Sequence, residues 1–204
     1  MNNLLFSMVD LSNGIIGTLS ALGIWYPILF NFFGVCAAAT KVSEFQIKKR
    51  DNILIFAIVA SLCWIAYFTL QGDFVSALGN LIVLSQALVF KQRGKHKWAH
   101  SIFWLFFFII IQVGFSALSF KTVYDLFPII GGVLGTFAYF VMKEKHYRYI
   151  VLFSMICWFF NSVTKGYLLA LICDSTSVVS ILIAIIRYEK LDKKNQKQKE
   201  KTEE

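Results

Sequence analysis

The strongest constraint in this sequence is a succession of apolar runs of bilayer-spanning length, separated by short basic stretches. Six are clear: 53–70, 74–90, 98–118, 126–142, 149–163 and 168–186. A helix needs about 20 residues to cross the hydrocarbon core, so 204 residues leave room for roughly seven crossings. Composition agrees. Hydrophobic residues make up 57% of the chain and charged residues 16%, against about 45–50% and 25% in soluble domains. Aromatics at 17% suit rings that face lipid and line its two interfaces. Two Pro and 12 Gly exclude collagen-like and low-complexity chains. Cys36, Cys63, Cys157 and Cys173 all lie inside apolar runs without CxxC spacing, which excludes a disulfide scaffold or a secreted enzyme. The chain reads as an all-α integral membrane protein.

The region before the first clear run, 4–39, is apolar for too long to be one helix, and Pro27 interrupts it. A first spanning helix over 28–48 gives seven spans. Residues 4–26 are then an extra segment on the outer surface or an N-terminal extension of that helix. The competing reading makes 4–26 a span of its own, for eight. Residues 1–10 carry no basic n-region, so no cleavable signal peptide is expected.

Charge placement orients the bundle. The net charge of +8 is not a basic patch interleaved with aromatics on a soluble fold, so nucleic acid is not an expected partner. With seven spans, one side receives the clusters at 48–50, 91–97 and 143–148 and the tail from Arg187, together seventeen of the twenty Lys and Arg. Lys121 and Lys165 fall on the other side, and Lys41 lies inside the first helix. By the positive-inside rule the C-terminus is cytoplasmic, the N-terminus is outside, and the loops at 71–73, 119–125 and 164–167 are external. The tail has no apolar residue from Asp192 to Glu204; residues 189–204 are expected to be a disordered, basic cytoplasmic anchor near lipid headgroups.

Sliding the chain along itself by 94 residues pairs Phe33 with Phe127, Lys49 with Lys143, Cys63 with Cys157, Trp64 with Trp158, Gly72 with Gly166 and Arg93 with Arg187. The pattern predicts two three-helix repeats, 28–92 and 124–188, joined by a linker helix at 98–118 that is poor in polar groups, with 1–27 outside them. An odd linker gives both repeats the same orientation, so they are parallel and related by an axis along the membrane normal. Transporters built this way hold substrate between the repeats near the midplane.

The second half, with FPIIGGVLGTFAYF, YRYIVLFSMICWFFNSVTKG and IIRYEK, resembles the YgjV-like family of bacterial inner-membrane proteins. The likeness runs from about Phe33 to Arg187 and implies a fold and a location, not an activity. The three-one-three layout also resembles SWEET sugar transporters and PnuC vitamin transporters, in architecture only. No Pro-Gln pair occurs in the sequence, and function by fold analogy is a weak warrant.

Trp64 lies eight residues before Gly72 and Asn80 eight after; Trp158 and Asp174 flank Gly166 in the same way. Eight residues of helix rise about 12 Å, close to the half-thickness of the hydrocarbon core at about 15 Å. These four residues therefore form an expected midplane layer. The indoles offer flat faces to a small polar or heterocyclic solute, and Asn80 and Asp174 offer directional hydrogen bonds. The bland alternatives are packing for the Trp pair and helix–helix glue for Asn80. Asp174 carries more weight, because a carboxylate near the bilayer centre costs at least about 2.5 kcal/mol and faces a cavity or a partner. Asn161, three residues after Trp158, shares its face, and Tyr67 is its counterpart after Trp64.

Lys41 and Glu44 are spaced to share a face of the first helix. They form either a local ion pair whose Lys snorkels to the inner interface, or a functional pair, with Lys41 reaching Asp174 or Glu44 carrying a proton. Gln86 is lining or glue. Gly131 and Gly135, a GxxxG pair, permit close helix packing. His96, His100 and His146 lie near loops at no metal spacing, and no Walker loop, GxGxxG, HExxH or Ser/His/Asp set occurs. No metal or cofactor is expected. The reading is a small-solute transporter of the bacterial inner membrane, with Asp174 as the proton-coupling candidate. The alternative is a membrane scaffold or helper protein without a translocated substrate. A membrane-embedded enzyme ranks third, for want of a second catalytic group near Asp174. The bilayer and a solute are the expected partners, and a homodimer is left open.

Overall fold

A computed structural model describes residues 23, 25–118, 120, 122–166 and 168–203. The described residues form seven α-helices and no strand: α1 (Trp25–Glu44), α2 (Arg50–Leu70), α3 (Phe74–Lys91), α4 (Phe103–Leu118), α5 (Leu126–Phe140), α6 (Glu144–Lys165) and α7 (Leu168–Glu203). By length and composition three can cross a bilayer: Arg50–Leu70, Val123–Phe140 and Leu168–Leu191. The question of a separate span over 4–26 lies outside the described residues, except for Gly23, Trp25 and Tyr26.

Local chemistry sets several boundaries. Pro27 stands in the first turn of α1, where its missing N–H is not needed. Gly72 turns the chain between α2 and α3 at φ 74°, and Gly166 between α6 and α7 at φ 69°, a left-handed conformation that favours glycine. Asp73 caps α3 by accepting from the Ser76 N–H at 3.1 Å. A reciprocal cap ties Thr122 to Asp125 ahead of α5. The linker helix starts at Phe103, not at 98, because Lys97–His100 forms a 3-10 turn and the Ser101 hydroxyl then accepts from the Phe103 N–H. At the C-terminal end, α7 stays helical to Glu203 where a disordered tail was expected; its Lys, Gln and Glu are good helix formers, and no Gly or Pro interrupts them.

The bundle is apolar outside, and its interior combines large apolar side chains such as Phe45, Phe90, Leu54 and Ile181 with small and polar ones. Phe32, Leu62, Ile110, Phe153 and Ile183 are each more than half exposed, a surface suited to acyl chains rather than water. Inside lie Ala37, Ala57, Ala87, Ala138, Ala184 and several buried Ser, the small residues that let helices approach closely in lipid. Packing follows the chain: α1 on α2 on α3, and α5 on α6 on α7. Between these trios, α1 meets α7 and α3 meets α5, while α4 packs on α5 and α3. Helix starts keep the sequence offset, since Arg50 and Glu144, like Phe74 and Leu168, are 94 residues apart.

Candidate functional site

The contacts between the trios gather at the end of the bundle that carries the Lys and Arg clusters. Arg50 donates to the carbonyls of Tyr139 at 3.0 Å and Val141 at 3.3 Å, and Arg148 donates to that of Ile47 at 2.9 Å. Arg50 thereby satisfies carbonyls that the end of α5 leaves free, and Arg148 satisfies one in the loop between α1 and α2. Arg93 donates to the Phe140 carbonyl and stacks on the Phe140 ring; burial pulls its guanidinium below its ordinary range. Arg187 donates to the Gln46 carbonyl at 3.0 Å. Deeper in, the Gln86 amide donates to the Thr136 hydroxyl at 2.9 Å, and the Ser180 hydroxyl to the Val42 carbonyl at 3.0 Å. The last two contacts correspond under the 94-residue offset: Gln86 matches Ser180, and Val42 matches Thr136. Among the described residues, every hydrogen bond between the trios lies in this basic half.

Lys41 and Glu44 form the core of this seam. Their ion pair measures 3.0 Å, and the Glu44 carboxylate is fully buried. Lys41 does not snorkel. Its ammonium also donates to the Tyr139 hydroxyl at 3.3 Å and lies between two rings, 5.3 Å from the centre of Phe45 and 5.7 Å from that of Tyr139. Phe45 and Tyr139 are themselves 94 residues apart. The other Glu44 oxygen accepts from the Tyr147 hydroxyl, and Tyr147 stacks on Tyr139. Lys41 therefore spans from α1 to α5, and Glu44 from α1 to α6. The local pair was legible at i,i+3; its two tyrosine partners were not.

Asp174 makes no hydrogen bond or ion pair with that cluster among the described residues. It lies six residues before Ser180, about 9 Å along α7, and accepts from the Ser162 hydroxyl at 2.6 Å. No ion pair joins it to Lys41 among the described residues. Asn161, next to Ser162, is 9% exposed, and its side-chain oxygen is buried without a partner. Asn80 turns its amide onto its own helix, to the Ser76 carbonyl at 2.9 Å. Trp64 stacks on Phe68 and meets Tyr67 edge-on, while Trp158 lies over Gly131, where a Cβ would stand 3.1 Å from the indole nitrogen. The structure thus joins Asp174 to Ser162 beside Asn161, and leaves Trp64 and Asn80 on the other trio. A 470 Å³ groove on the outer face of α1 and a 390 Å³ pocket at the basic end are lined by none of these five residues.

Gln112, on the helix expected to be poor in polar groups, is 6% exposed, and its side chain lies where a Cβ on Gly132 would stand. No signal in the sequence pointed to that fit. No cluster of His, Cys, Asp and Glu suited to a metal occurs among the described residues.

Comparison with known proteins follows the fold. A family described as bacterial inner membrane protein (Imp-YgjV) matches residues 28–192. The inner membrane protein YgjV of Escherichia coli (strain K12) is 24% identical over 128 residues, which cover 63% of this chain and 67% of the relative. No solved structure matches the chain significantly.

Proposed function

This chain belongs to the YgjV family of bacterial inner membrane proteins, and from that premise we propose that it is a small-solute transporter. In this reading seven helices span the membrane, and the two trios are parallel repeats around a linker helix, related by a two-fold axis along the membrane normal. The observation that carries it is the matched seam. Gln86–Thr136 and Ser180–Val42 join matched positions, side chain to side chain in one and side chain to carbonyl in the other, and Arg93–Phe140 and Arg187–Gln46 are the same contact written twice. Two similar bodies meeting across such a seam can rock against each other, which is how parallel-repeat transporters alternate access. The solute would bind beyond the seam, between the trios, drawing on Trp64 and Asn80 from one trio and on Trp158, Asn161 and Asp174 from the other. Asp174, a carboxyl in an apolar helix with a hydroxyl partner, is the group that would take up and release a coupling proton.

The first test is a thermal-shift screen of purified protein in detergent against sugars, nucleosides, vitamins and amines, with wild type beside Asp174→Asn at two pH values. A ligand at 100 times its Kd stabilises by about 2.7 kcal/mol. A hit that weakens in Asp174→Asn is expected. In reconstituted vesicles its flux should respond to pH in wild type and not in the variant; flux insensitive to both changes removes the proton step.

A scaffold role is the second reading. It draws on Asn80, which bonds its own helix, and on Trp158, which covers Gly131: both are packing roles. A flat screen on folded protein would favour it.

A further inference from the structure

We propose that the pocket at the basic end is a binding site for a phosphoryl anion. It goes beyond the transporter reading and does not depend on it. The pocket holds 390 Å³, enough for a phosphate ester with part of its alcohol, and four cations line it: Lys48, Lys49, Lys145 and Arg148. Two carboxylates share the lining, but Glu189 is already engaged by Lys145 at 3.9 Å and by the Tyr149 hydroxyl. Glu144 is left against Lys48, Lys49 and Arg148, so the pocket keeps a positive excess.

Arg148 is the buried cation of the lining. Its side chain is 5% exposed, and it has no ion-pair partner among the described residues. One terminal N–H goes to the Ile47 carbonyl, and the guanidinium lies 4.0 Å from the centre of the Tyr188 ring. Its Nε–H is buried and unpartnered. Glu144, one turn earlier, shares the pocket but makes no ion pair with Arg148, and a planar guanidinium in the lining matches the oxygens of a phosphate. Tyr188 and Ile185 add an apolar wall, which suits an ester rather than a bare ion.

The internal correspondence supports a role beyond packing. Under the 94-residue offset Arg148 matches Leu54, Tyr149 matches Ile55 and Tyr188 matches Gly94. The first trio folds without these groups, so the shared architecture does not require them. Basic pockets between membrane helices on the cytoplasmic side bind anionic headgroups. The phosphodiester of an anionic lipid and a soluble phosphate present the same oxygens, and the experiment separates them.

Because Arg148 also holds the Ile47 carbonyl, the variant chosen is Lys48→Gln/Lys49→Gln, at two exposed positions. Its control, Lys95→Gln/Lys97→Gln, removes the same charge at the same end outside the pocket. The unfolding midpoint of the full chain in neutral detergent is titrated with phosphatidylglycerol, with phosphatidylcholine, and with inorganic phosphate. Phosphatidylglycerol alone should raise the midpoint in wild type and in the control, and the pocket variant should need roughly tenfold more lipid. A shift with inorganic phosphate, lost in the pocket variant, would assign the site to a soluble phosphate. Equal weakening in both double variants would reduce the effect to surface charge and overturn the site, as would a midpoint that no anion moves.

Discussion

Arg93 and Arg187 stand 94 residues apart and make the same contact from opposite trios, each donating to a carbonyl at the end of the partner trio's first helix, Phe140 and Gln46. The two differ in exposure. Arg93 is partly buried against the Phe140 ring, and Arg187 is exposed. Arg93→Gln should therefore lose about 1.5–3 kcal/mol, the range for hydrogen bonds to charged groups. Arg187→Gln should lose less than about 1 kcal/mol, as exposed charges do. Thermal unfolding in detergent reads both. A larger loss at Arg187 would mean that burial does not govern this seam.

The Lys41–Glu44 pair is a stronger case, because its carboxylate is sealed from solvent. Glu44→Gln leaves the ammonium without its counter-charge and should cost about 3–5 kcal/mol, whereas Lys41→Met combined with Glu44→Gln should recover much of it. A double-mutant cycle on unfolding checks this. Simple additivity would show that the two charges do not interact. Tyr147→Phe should cost about 1–3 kcal/mol by stripping one Glu44 oxygen of its donor.

Glycine substitutions separate close packing from a free helix face. A Cβ on Gly34 would meet Leu169 at 2.6 Å and Tyr67 at 2.9 Å; one on Gly114 meets nothing within 4 Å. Gly34→Ala is expected to destabilise by about 1–3 kcal/mol, and Gly114→Ala to stabilise α4 by roughly 0.5–1 kcal/mol. Unfolding midpoints that moved in the same direction would contradict the fit of α1 against α7.

Orientation can be checked in cells. Reporters that fold only outside the cytoplasm should be active when inserted at 119–125 and silent after Glu204; a cytoplasm-dependent reporter should show the reverse. The opposite pattern would invert the topology read from the charges.

Much of the helical frame is legible because membrane helices obey one dominant rule, apolar length. α2 and α3 begin within three residues of where the apolar runs place them. Errors arise where a polar turn continues a helix: α6 starts at Glu144, five residues ahead of its apolar run. The seam was only half visible. Arg50, Arg93, Arg148 and Arg187 read as topology signals, because a pattern of side chains does not reveal which backbone carbonyls they cover. Tyr139 and Tyr147 looked like ordinary aromatics until the fold brought them to Lys41 and Glu44. For the expected midplane layer, an equal rise from two glycines speaks to depth and not to direction, and in the structure Asn80 and Asp174 make separate contacts.

Among the described residues, directional bonds between the trios occupy only the basic half of the bundle, while Gly34 against Leu169 typifies the other half. Parting the far ends sacrifices dispersion contacts, which neighbouring acyl chains can replace; parting the basic ends strands guanidinium groups and carbonyls. In the transporter reading such a body would behave as a pair of tongs with its pivot at the charged end. Its resting gape is then a property of the surrounding lipid as much as of the protein, and bilayer thickness should shift it without any ligand.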